Sequence, residues 1–188
     1  MRVIAGRARG RRLVAPAGEA TRPTADRVRE ATFNALHSLG AIEGARVVDL
    51  FAGSGALGIE ALSRGADHAT FVDRDRRAVA AIEANLAATG LTGSATVQCQ
   101  TVERALDEAV ARGDRWTLAL ADPPYAFEGW EALLATVPAD LVVAESGRPV
   151  PVPAGWRAIR ERRYGATLVA ILRPQPPAVA PRGPDLPE

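Results

Sequence analysis

The sequence predicts an α/β fold whose core is a doubly wound, mostly parallel sheet of seven strands. An apolar run at 47–50 passes through Gly53 and Gly55 directly into a helical pattern, as at the ligand crevice of a nucleotide-binding sheet. Further apolar runs and helical patterns then alternate, which is typical of parallel strands joined by right-handed crossovers. The last two apolar runs, 156–163 and 166–172, are too close together for a crossover, so we expect an antiparallel C-terminal pair.

Residues 2–15 alternate weakly and predict a small N-terminal β-hairpin. A first helix is expected over about 25–39, with Thr24 as its N-cap and with Arg27 and Arg29 on a solvated face. Later strands are expected at 47–50, 69–73, 95–99, 116–121 and 141–144. Later helices are expected at 56–64, from Asp75 to Gly90, through Leu106 and Val110 to Gly113, and at 128–136.

The chain has 188 residues, which suits one main domain with a full core. We divide it into a basic N-terminal extension at 1–23, the α/β domain at 24–173 and a proline-rich, disordered tail at 174–188. The net charge is only +1, yet residues 1–30 hold eight arginines against three acids. This basic segment is either a solvated edge, which discourages strand pairing, or a phosphate-binding segment. Phosphate binding is possible because arginine offers forked donors to phosphate oxygens.

Nothing in the sequence resembles a signal peptide, and no apolar run reaches the length of a membrane span, so we expect a cytoplasmic protein. The lone Cys99 excludes an internal disulfide and a cysteine-based metal cluster, and we interpret it as a small buried hydrophobe. His37 and His68 are interpreted as surface or capping residues.

The glycine stretch predicts a nucleoside-containing cofactor. Gly53 and Gly55 allow a tight turn and close approach of a ligand because neither has a Cβ. The unpaired N–H groups of the following helix face the same crevice. Asp73 lies twenty residues beyond Gly53, at the end of the next apolar run, where an acid can bind both hydroxyls of a ribose. The alternative is a purely structural turn.

Four polar residues lie at the carboxyl ends of four expected strands: Asp49, Asp73, Gln100 and Asp122. Because parallel strands end at one rim, they predict a single site. Asp122 opens the sequence Asp-Pro-Pro-Tyr, whose two prolines make a rigid corner without backbone donors. The acceptors that remain, the Asp122 carboxylate and the Pro123 carbonyl, fit the NH₂ group of a planar heterocycle stacked on Tyr125. The alternative is a rigid strand exit with a surface tyrosine.

These motifs resemble the class I S-adenosylmethionine-dependent methyltransferases that carry (Asp/Asn)-Pro-Pro-Tyr, and more closely the RsmD family. The resemblance covers about residues 2–172 and rests on the segments at 6–13, 22–34, 49–58, 61–66, 122–125 and 164–165. It implies methyl transfer from S-adenosylmethionine to the N2 amine of a guanine in 16S ribosomal RNA of the small ribosomal subunit. Asp73 departs from the family, in which glutamate is often found; either acid can hold ribose hydroxyls.

The resemblance also implies a role for each site residue, in a monomer that uses no metal and no membrane. The catalytic residues are Asp122, Pro123, Pro124 and Tyr125. The cofactor-binding residues are Asp49, Phe51, Gly53, Ser54, Gly55, Asp73, Arg74, Gln100 and Val102, with Gln100 assigned to the adenine. The RNA-binding residues are Arg7, Arg9, Arg11, Arg12, Arg22 and Arg27.

Three other functions fit parts of the pattern. A nicotinamide-dependent dehydrogenase would share the glycine spacing and Asp73, but Asp49 and the double proline count against it, and the chain has no lysine for a Tyr-x-x-x-Lys pair. A methyltransferase of DNA adenine or cytosine, or of protein glutamine, more often has asparagine before Pro-Pro-Tyr. A catalytically silent RNA-binding protein would not need the complete set of motifs.

Overall fold

The computed structural model describes residues 1–16 and 23–175 and contains a seven-stranded sheet with helices on both faces. The strands are β1 (Arg46–Leu50), β2 (His68–Asp73), β3 (Ala95–Cys99), β4 (Leu118–Ala121), β5 (Val142–Ser146), β6 (Trp156–Tyr164) and β7 (Thr167–Pro174). The helices are α1 (Pro23–Ser38), α2 (Ala56–Ser63), α3 (Arg76–Thr89), α4 (Val102–Arg112) and α5 (Trp130–Thr136), with a 3-10 turn at Thr92–Ser94.

The strand order across the sheet is β3-β2-β1-β4-β5-β7-β6. The five strands from β3 to β5 are parallel, whereas β7 lies antiparallel to both β5 and β6. The fold class and the antiparallel C-terminal pair are therefore as the sequence predicts. The chain leaves β1 in one direction towards β2 and β3, and β4 lies on its other side. Ligands of such sheets bind at this reversal, outside the carboxyl ends of the strands.

Local signals explain most element ends. Asp75 caps α3 by accepting the N–H of Arg77, and Gly90 ends that helix in the left-handed conformation. Thr101 and Gly113 do the same for α4. The expected N-cap at Thr24 is wrong, because α1 already begins at Pro23; proline's fixed φ and missing N–H suit the first turn of a helix.

Two expected elements begin two residues later than the sequence predicts. β4 begins at Leu118, and Trp116 makes only an isolated bridge with Ala139. α5 begins at Trp130 rather than at 128, because the chain first closes a turn in which Phe127 N–H donates to the Pro124 carbonyl.

Successive strand residues supply two separate cores. Val47 belongs to the core beneath α1, α2 and α3, where Phe33 and Ile59 are fully buried. Val48 belongs to the core beneath α4 and α5, with Trp130. This alternation is the period of two that a sheet covered on both faces requires.

The N-terminal segment forms the expected small hairpin, held by an isolated antiparallel bridge between Arg2 and Arg12. It lies along α2, and its tip packs on the last turn of that helix, where Arg7 N–H donates to the Ser63 carbonyl over 2.8 Å. The approach is so close that a Cβ on Gly6 would lie 1.8 Å from the Ser63 carbonyl oxygen. Only glycine therefore fits at this contact.

A buried ion network joins the hairpin to α1 and α2. Arg29 is 3% exposed and pairs with Asp26 at 3.1 Å and Glu60 at 3.8 Å. Glu60 also accepts the N–H groups of Ile4 and Ala5. The expectation that Arg29 lies on a solvated face is therefore wrong. It is buried because its guanidinium finds two carboxylates and the Arg2 carbonyl in the interior.

The expected burial of Cys99 is also wrong. Cys99 is exposed because it ends β3, and β3 is an edge strand of the sheet. His37, in the last turn of α1, is exposed, and the ring of half-buried His68 forms a hydrogen bond with Thr96. The predicted disordered tail lies almost entirely outside the described residues. Within the described part, no helix could cross a membrane, and no cluster of three or more His, Cys, Asp or Glu side chains could hold a metal.

Candidate active site

The loop between β1 and α2 contains three residues with positive φ: Phe51 at 59°, Gly53 at 55° and Gly55 at 75°. Phe51 is the only residue other than glycine with positive φ in the described part of the chain, and such strain is often found at ligand sites. Gly55 N–H donates to the Ala52 carbonyl, and α2 starts at the next residue without a side-chain cap. The start of α2 therefore faces the crevice, as the sequence indicates.

Asp49 holds this helix in place from beneath. Its Oδ2 accepts the N–H of Gly58 over 2.8 Å, and the side chain is almost completely buried. Burial raises the pKa of Asp49 well above its usual range, although the bond from Gly58 acts in the opposite direction. A Cβ on Gly58 would lie 2.4 Å from the Phe71 ring, so this position requires glycine.

The two loop glycines differ in what surrounds them. A Cβ on Gly55 would meet the buried side chains of Ile82 and Phe71 at 3.2 Å. A Cβ on Gly53 would meet nothing closer than 4.0 Å, where the Phe51 carbonyl lies. Gly53 is therefore the glycine that borders open space, and Gly55 is the one that packs against the core.

Asp73 ends β2 beside this open space. Its Oδ2 accepts the Gly53 N–H over 2.8 Å, and its Oδ1 accepts the N–H of Asp75 over 2.9 Å. Each carboxylate oxygen has a second lone pair, so both can also accept a hydroxyl. The uncapped helix start, the space at Gly53 and the acid at Asp73 together fit the nucleoside and the charged tail of S-adenosylmethionine.

The other predicted cofactor residues surround this crevice in different ways. Gln100 follows β3, its N–H donates to the Asp73 carbonyl, and its side-chain amide is hydrogen-bonded to Gln98 and Glu108. Arg74 is exposed next to Asp73, whereas Val102 is buried in the first turn of α4. Ser54 is also buried, and its carbonyl accepts a hydrogen bond from Asn85. Gln100 is thus joined to the end of β2 through its backbone, while its side chain is directed to Gln98 and Glu108. The cofactor roles of Gln100, Val102 and Ser54 stay predictions.

Asp122 directly follows β4, the neighbour of β1, and begins the rigid corner. The Pro124 carbonyl already accepts the Phe127 N–H, whereas no hydrogen bond from a described residue reaches the Pro123 carbonyl. Tyr125 is 64% exposed, so a ligand can reach its ring. The corner therefore presents the two acceptors and the aromatic ring that the sequence predicts for a bound amine.

Aromatic rings connect this corner to the glycine loop. The Phe51 and Phe127 rings are 5.1 Å apart at 64°, and Phe127 in turn lies 5.2 Å from Trp130 at 85°. Edge-to-face pairs of this kind are favourable. They position the cofactor crevice and the acceptor corner as one unit.

Glu145 is a site residue that the sequence analysis missed. It lies on β5, is 8% exposed and faces the carboxyl of Asp122. Burial, with a smaller contribution from the nearby charge of Asp122, raises the pKa of Glu145 to about 8, although Arg29 acts in the opposite direction. Asp122 is in contact with water, yet the surrounding protein displaces enough of it to raise the pKa of Asp122 to about 6.

The predicted RNA-binding arginines do not form one patch. Arg7 and Arg9 belong to the hairpin tip at the C-terminal end of α2, about 12 Å along the helix from the glycine loop. Arg11 and Arg12 lie on the returning arm, and Arg27 is exposed near the start of α1. Arg22 lies outside the described residues. Their role in RNA binding stays a prediction.

Comparisons with known proteins agree with this geometry. Residues 1–173 match the family model described as conserved hypothetical protein 95. The chain is also 38% identical over 177 residues to the ribosomal RNA small subunit methyltransferase D of Escherichia coli K12. This alignment covers 88% of this chain and 85% of that protein. The chain belongs to the methyltransferase D family, RsmD.

Further RsmD-like relatives align over nearly the whole chain. The YlbH protein of Bacillus subtilis 168 is 42% identical over 183 residues, or 92% of this chain and 98% of that protein. The solved structure of the yhhF protein of Escherichia coli superposes with a TM-score of 0.79 at 36% identity, covering 93% of this chain and 98% of that chain. A solved structure from Thermus thermophilus also gives 0.79, at 35% identity and 91% and 98% coverage. The resemblance to RsmD and the class I methyltransferase fold are thus confirmed.

Proposed function

We propose that this chain transfers a methyl group from S-adenosylmethionine to the exocyclic N2 amine of a guanine in small-subunit ribosomal RNA. The acceptor corner carries the proposal: Asp122 and the Pro123 carbonyl stand beside an exposed tyrosine and next to a nucleoside crevice. The names of the RsmD relatives support ribosomal RNA as the substrate class. A ribosomal substrate also accords with the cytoplasmic location that the sequence favours.

The crevice at the glycine loop binds the cofactor, and the corner at residues 122–125 binds the target base. When bound, S-adenosylmethionine supplies an electrophilic methyl group on a positively charged sulfur. Asp73 and the start of α2 hold and orient the nucleoside of the cofactor. Tyr125 stacks on the target guanine after this base has left the RNA helix. The N2 lone pair of guanine is delocalised into the ring. Accepting both N–H bonds at Asp122 and Pro123 draws that lone pair out of conjugation and aims it at the methyl.

Charge and protons balance through Asp122. With S-adenosylmethionine bound, N2 would take the methyl group as the S–C bond breaks, and the positive charge would pass from the sulfur to N2. N2 then releases one proton, which Asp122 can accept. Its pKa of about 6 leaves the carboxyl mostly ionised at neutral pH, which is the state that accepts. Most of the rate comes from positioning and electrostatics rather than from a strong base.

The test is methyl transfer by the purified protein to 16S ribosomal RNA, supplied free and as the assembled small subunit, with the product nucleoside identified by mass spectrometry. We expect N2-methylguanosine at one position. Methylated adenine, cytosine or protein glutamine would instead support the alternative amino-methyltransferases. The same assay with a chelator, and sizing of the active species, tests the proposed metal-free monomer.

Substitutions at two residues test the corner. Asp122→Ala should lower turnover by about a hundredfold or more while leaving the affinity for S-adenosylhomocysteine within about threefold, because the lost acceptor acts at the reacting nitrogen. Tyr125→Ala should also be severe, and Tyr125→Phe mild, because stacking needs only the ring. Normal turnover in Asp122→Ala would contradict the proposed mechanism.

A further inference from the structure

Glu145 and Asp122 are neighbours by strand register. β4 and β5 pair in parallel with Ala121 opposite Ala144, so Asp122 and Glu145 are the next residues on each side. The preceding pair, Leu120 and Val143, lies in the core beneath α1, α2 and α3. Because side chains alternate along a strand, the two acids turn to the same face as that pair.

Glu145 is 8% exposed, no hydrogen bond from a residue that the structure describes reaches its carboxyl, and the carboxyl oxygens keep a small contact with solvent. The charged groups that face it are Asp122 from β4, Asp49 from β1 and Arg29 from α1. The Arg29 guanidinium is already engaged by Asp26 and Glu60. A buried polar group normally has a partner, so an acceptor left open beside the reacting corner indicates a donor on the substrate.

We propose that Glu145 accepts a hydrogen bond from the ring N1–H of the target guanine while Asp122 accepts one from the N2 amine. The inference rests on the proposed function and adds its base specificity. Guanine is the base whose amine is flanked by a ring N–H. The amines of adenine and cytosine are flanked by ring acceptors, which give the carboxyl pair no second N–H. A bound N1–H instead favours the ionised, accepting form of Glu145, against the burial that raises its pKa in the free protein. The pair therefore selects guanine through the Watson–Crick edge of the flipped base.

The experiment compares a ribosomal RNA fragment carrying the target guanine with one carrying 2-aminopurine, which keeps the 2-amine but has an unprotonated N1. Wild type should favour guanine by at least about tenfold in kcat/KM. Glu145→Leu should be slower on guanine and lose this preference, whereas Glu145→Gln should keep much of it through its amide oxygen. Glu145→Met repeats the measurement if the leucine variant does not fold.

A full preference for guanine in a folded Glu145→Leu or Glu145→Met variant would overturn the assignment. S-adenosylhomocysteine affinity serves as the control for folding, because Glu145 does not contact the glycine loop or Asp73 in any described bond. Failure of wild type to methylate guanine in any RNA would instead reject the proposed function itself, so the two failures are distinguishable.

Independently, β6 presents a basic surface at the edge of the sheet. Its four arginines are all exposed and form no ion pair with a described residue: Arg157, Arg160, Arg162 and Arg163. β6 runs in the same direction as β5, because both lie antiparallel to β7. In register, Leu168 of β7 lies between Ser146 and Arg163, so the end of β6 reaches the same rim as the site.

The turn after β6 lies close to the corner formed by residues 122–125. A Cβ on Gly147 would lie 3.0 Å from the Tyr125 ring and 4.0 Å from the Ala166 carbonyl. Gly147 therefore lies between the Tyr125 ring and the β6–β7 turn, and the ring and the turn are close to each other in space. We infer that Arg162 and Arg163 bind the RNA backbone beside the target nucleotide. Charges on an edge strand also discourage strand pairing, and the measurement separates these roles.

The measurement is the affinity for a target-containing ribosomal RNA fragment at several salt concentrations. The double variant Arg162→Gln/Arg163→Gln should bind more weakly, with a salt slope reduced by about 0.7–0.9 for each lost phosphate contact. Arg157→Gln/Arg173→Gln is the matched control, because those residues pair at the opposite end of the same hairpin. Equal slopes for the rim double variant and wild type would overturn the inference, whatever the outcome for methylation.

Discussion

Oδ2 of Asp73 accepts the backbone N–H of Gly53 over 2.8 Å, so the end of β2 holds the loop that follows β1. The second oxygen of the same carboxylate accepts the N–H of Asp75 at the start of α3. Asp73 is thus a support for the glycine loop before any ligand arrives. Under the proposed function it is also the acceptor of the ribose hydroxyls, so loop geometry and cofactor affinity are coupled through one side chain.

Asp73→Asn should weaken S-adenosylhomocysteine binding by about tenfold or more, because an amide replaces one of the two accepting oxygens by a donor. Isothermal titration calorimetry gives the affinity. Asp75→Asn is the control, since asparagine also caps a helix and Asp75 does not contact the loop through its side chain. Stabilisation of wild type by NAD, with none by S-adenosylhomocysteine, would contradict the cofactor assignment.

Gly53 and Gly55 should respond differently to a larger side chain. Gly53→Val should abolish S-adenosylhomocysteine binding because its Cβ extends into the open crevice, and its cost in stability should be limited to the strain of a valine at positive φ. Gly55→Val should instead destabilise the protein by about 2 kcal/mol or more, since its Cβ meets Phe71 and Ile82 in the core. Thermal denaturation and ligand titration of both variants check this, and an unchanged melting temperature in Gly55→Val would speak against the described loop.

Gly6→Ala should destabilise the protein by about 2–3 kcal/mol, because the new methyl group would overlap the Ser63 carbonyl and lift the hairpin from α2. Gly10→Ala is the matched control: its φ is also positive, at 82°, but nothing lies within 4 Å of the added Cβ. It should cost only the backbone strain of about 1 kcal/mol. Urea unfolding measures both, and equal losses would show that the hairpin does not depend on the close contact.

Glu145→Gln should change how stability depends on pH. Burial raises the pKa of Glu145 to about 8, so between its ordinary value of 4.5 and about 8 the folded state holds a proton that the unfolded chain releases. Wild-type stability therefore falls through this window as the pH rises. Glutamine has no such proton, so from pH 5 to pH 8 the free energy of unfolding of the variant should rise relative to that of wild type by on the order of 3 kcal/mol. Parallel stability curves would show that Glu145 ionises normally.

Features governed by neighbouring residues were predictable from the sequence. The cap at Asp75, the helix end at Gly90 and the strand ends at Asp73 and Asp122 all follow from short-range patterns. The same strand-end rule would have found Glu145, which follows the apolar run at 141–144, had it been applied to the fifth strand.

Features set by long-range packing were not predictable. Arg29 is buried because Glu60 and the hairpin carbonyls meet it from elsewhere in the chain, and no pattern within α1 shows this. Cys99 is exposed only because β3 lies at the edge of the sheet. The separation of Arg7 from the glycine loop likewise depends on the direction in which the hairpin lies along α2.

The insertion of β7 between β5 and β6 has a consequence for synthesis. The middle one of the three final strands is made last, so β5 has no partner on that side, and β6 none at all, until residues 167–174 have left the ribosome. Until then the nascent sheet offers open hydrogen-bonding edges, which are sites of misassociation. A stop codon before Thr167 would make that state permanent, and the shortened product should aggregate rather than fold into a smaller enzyme.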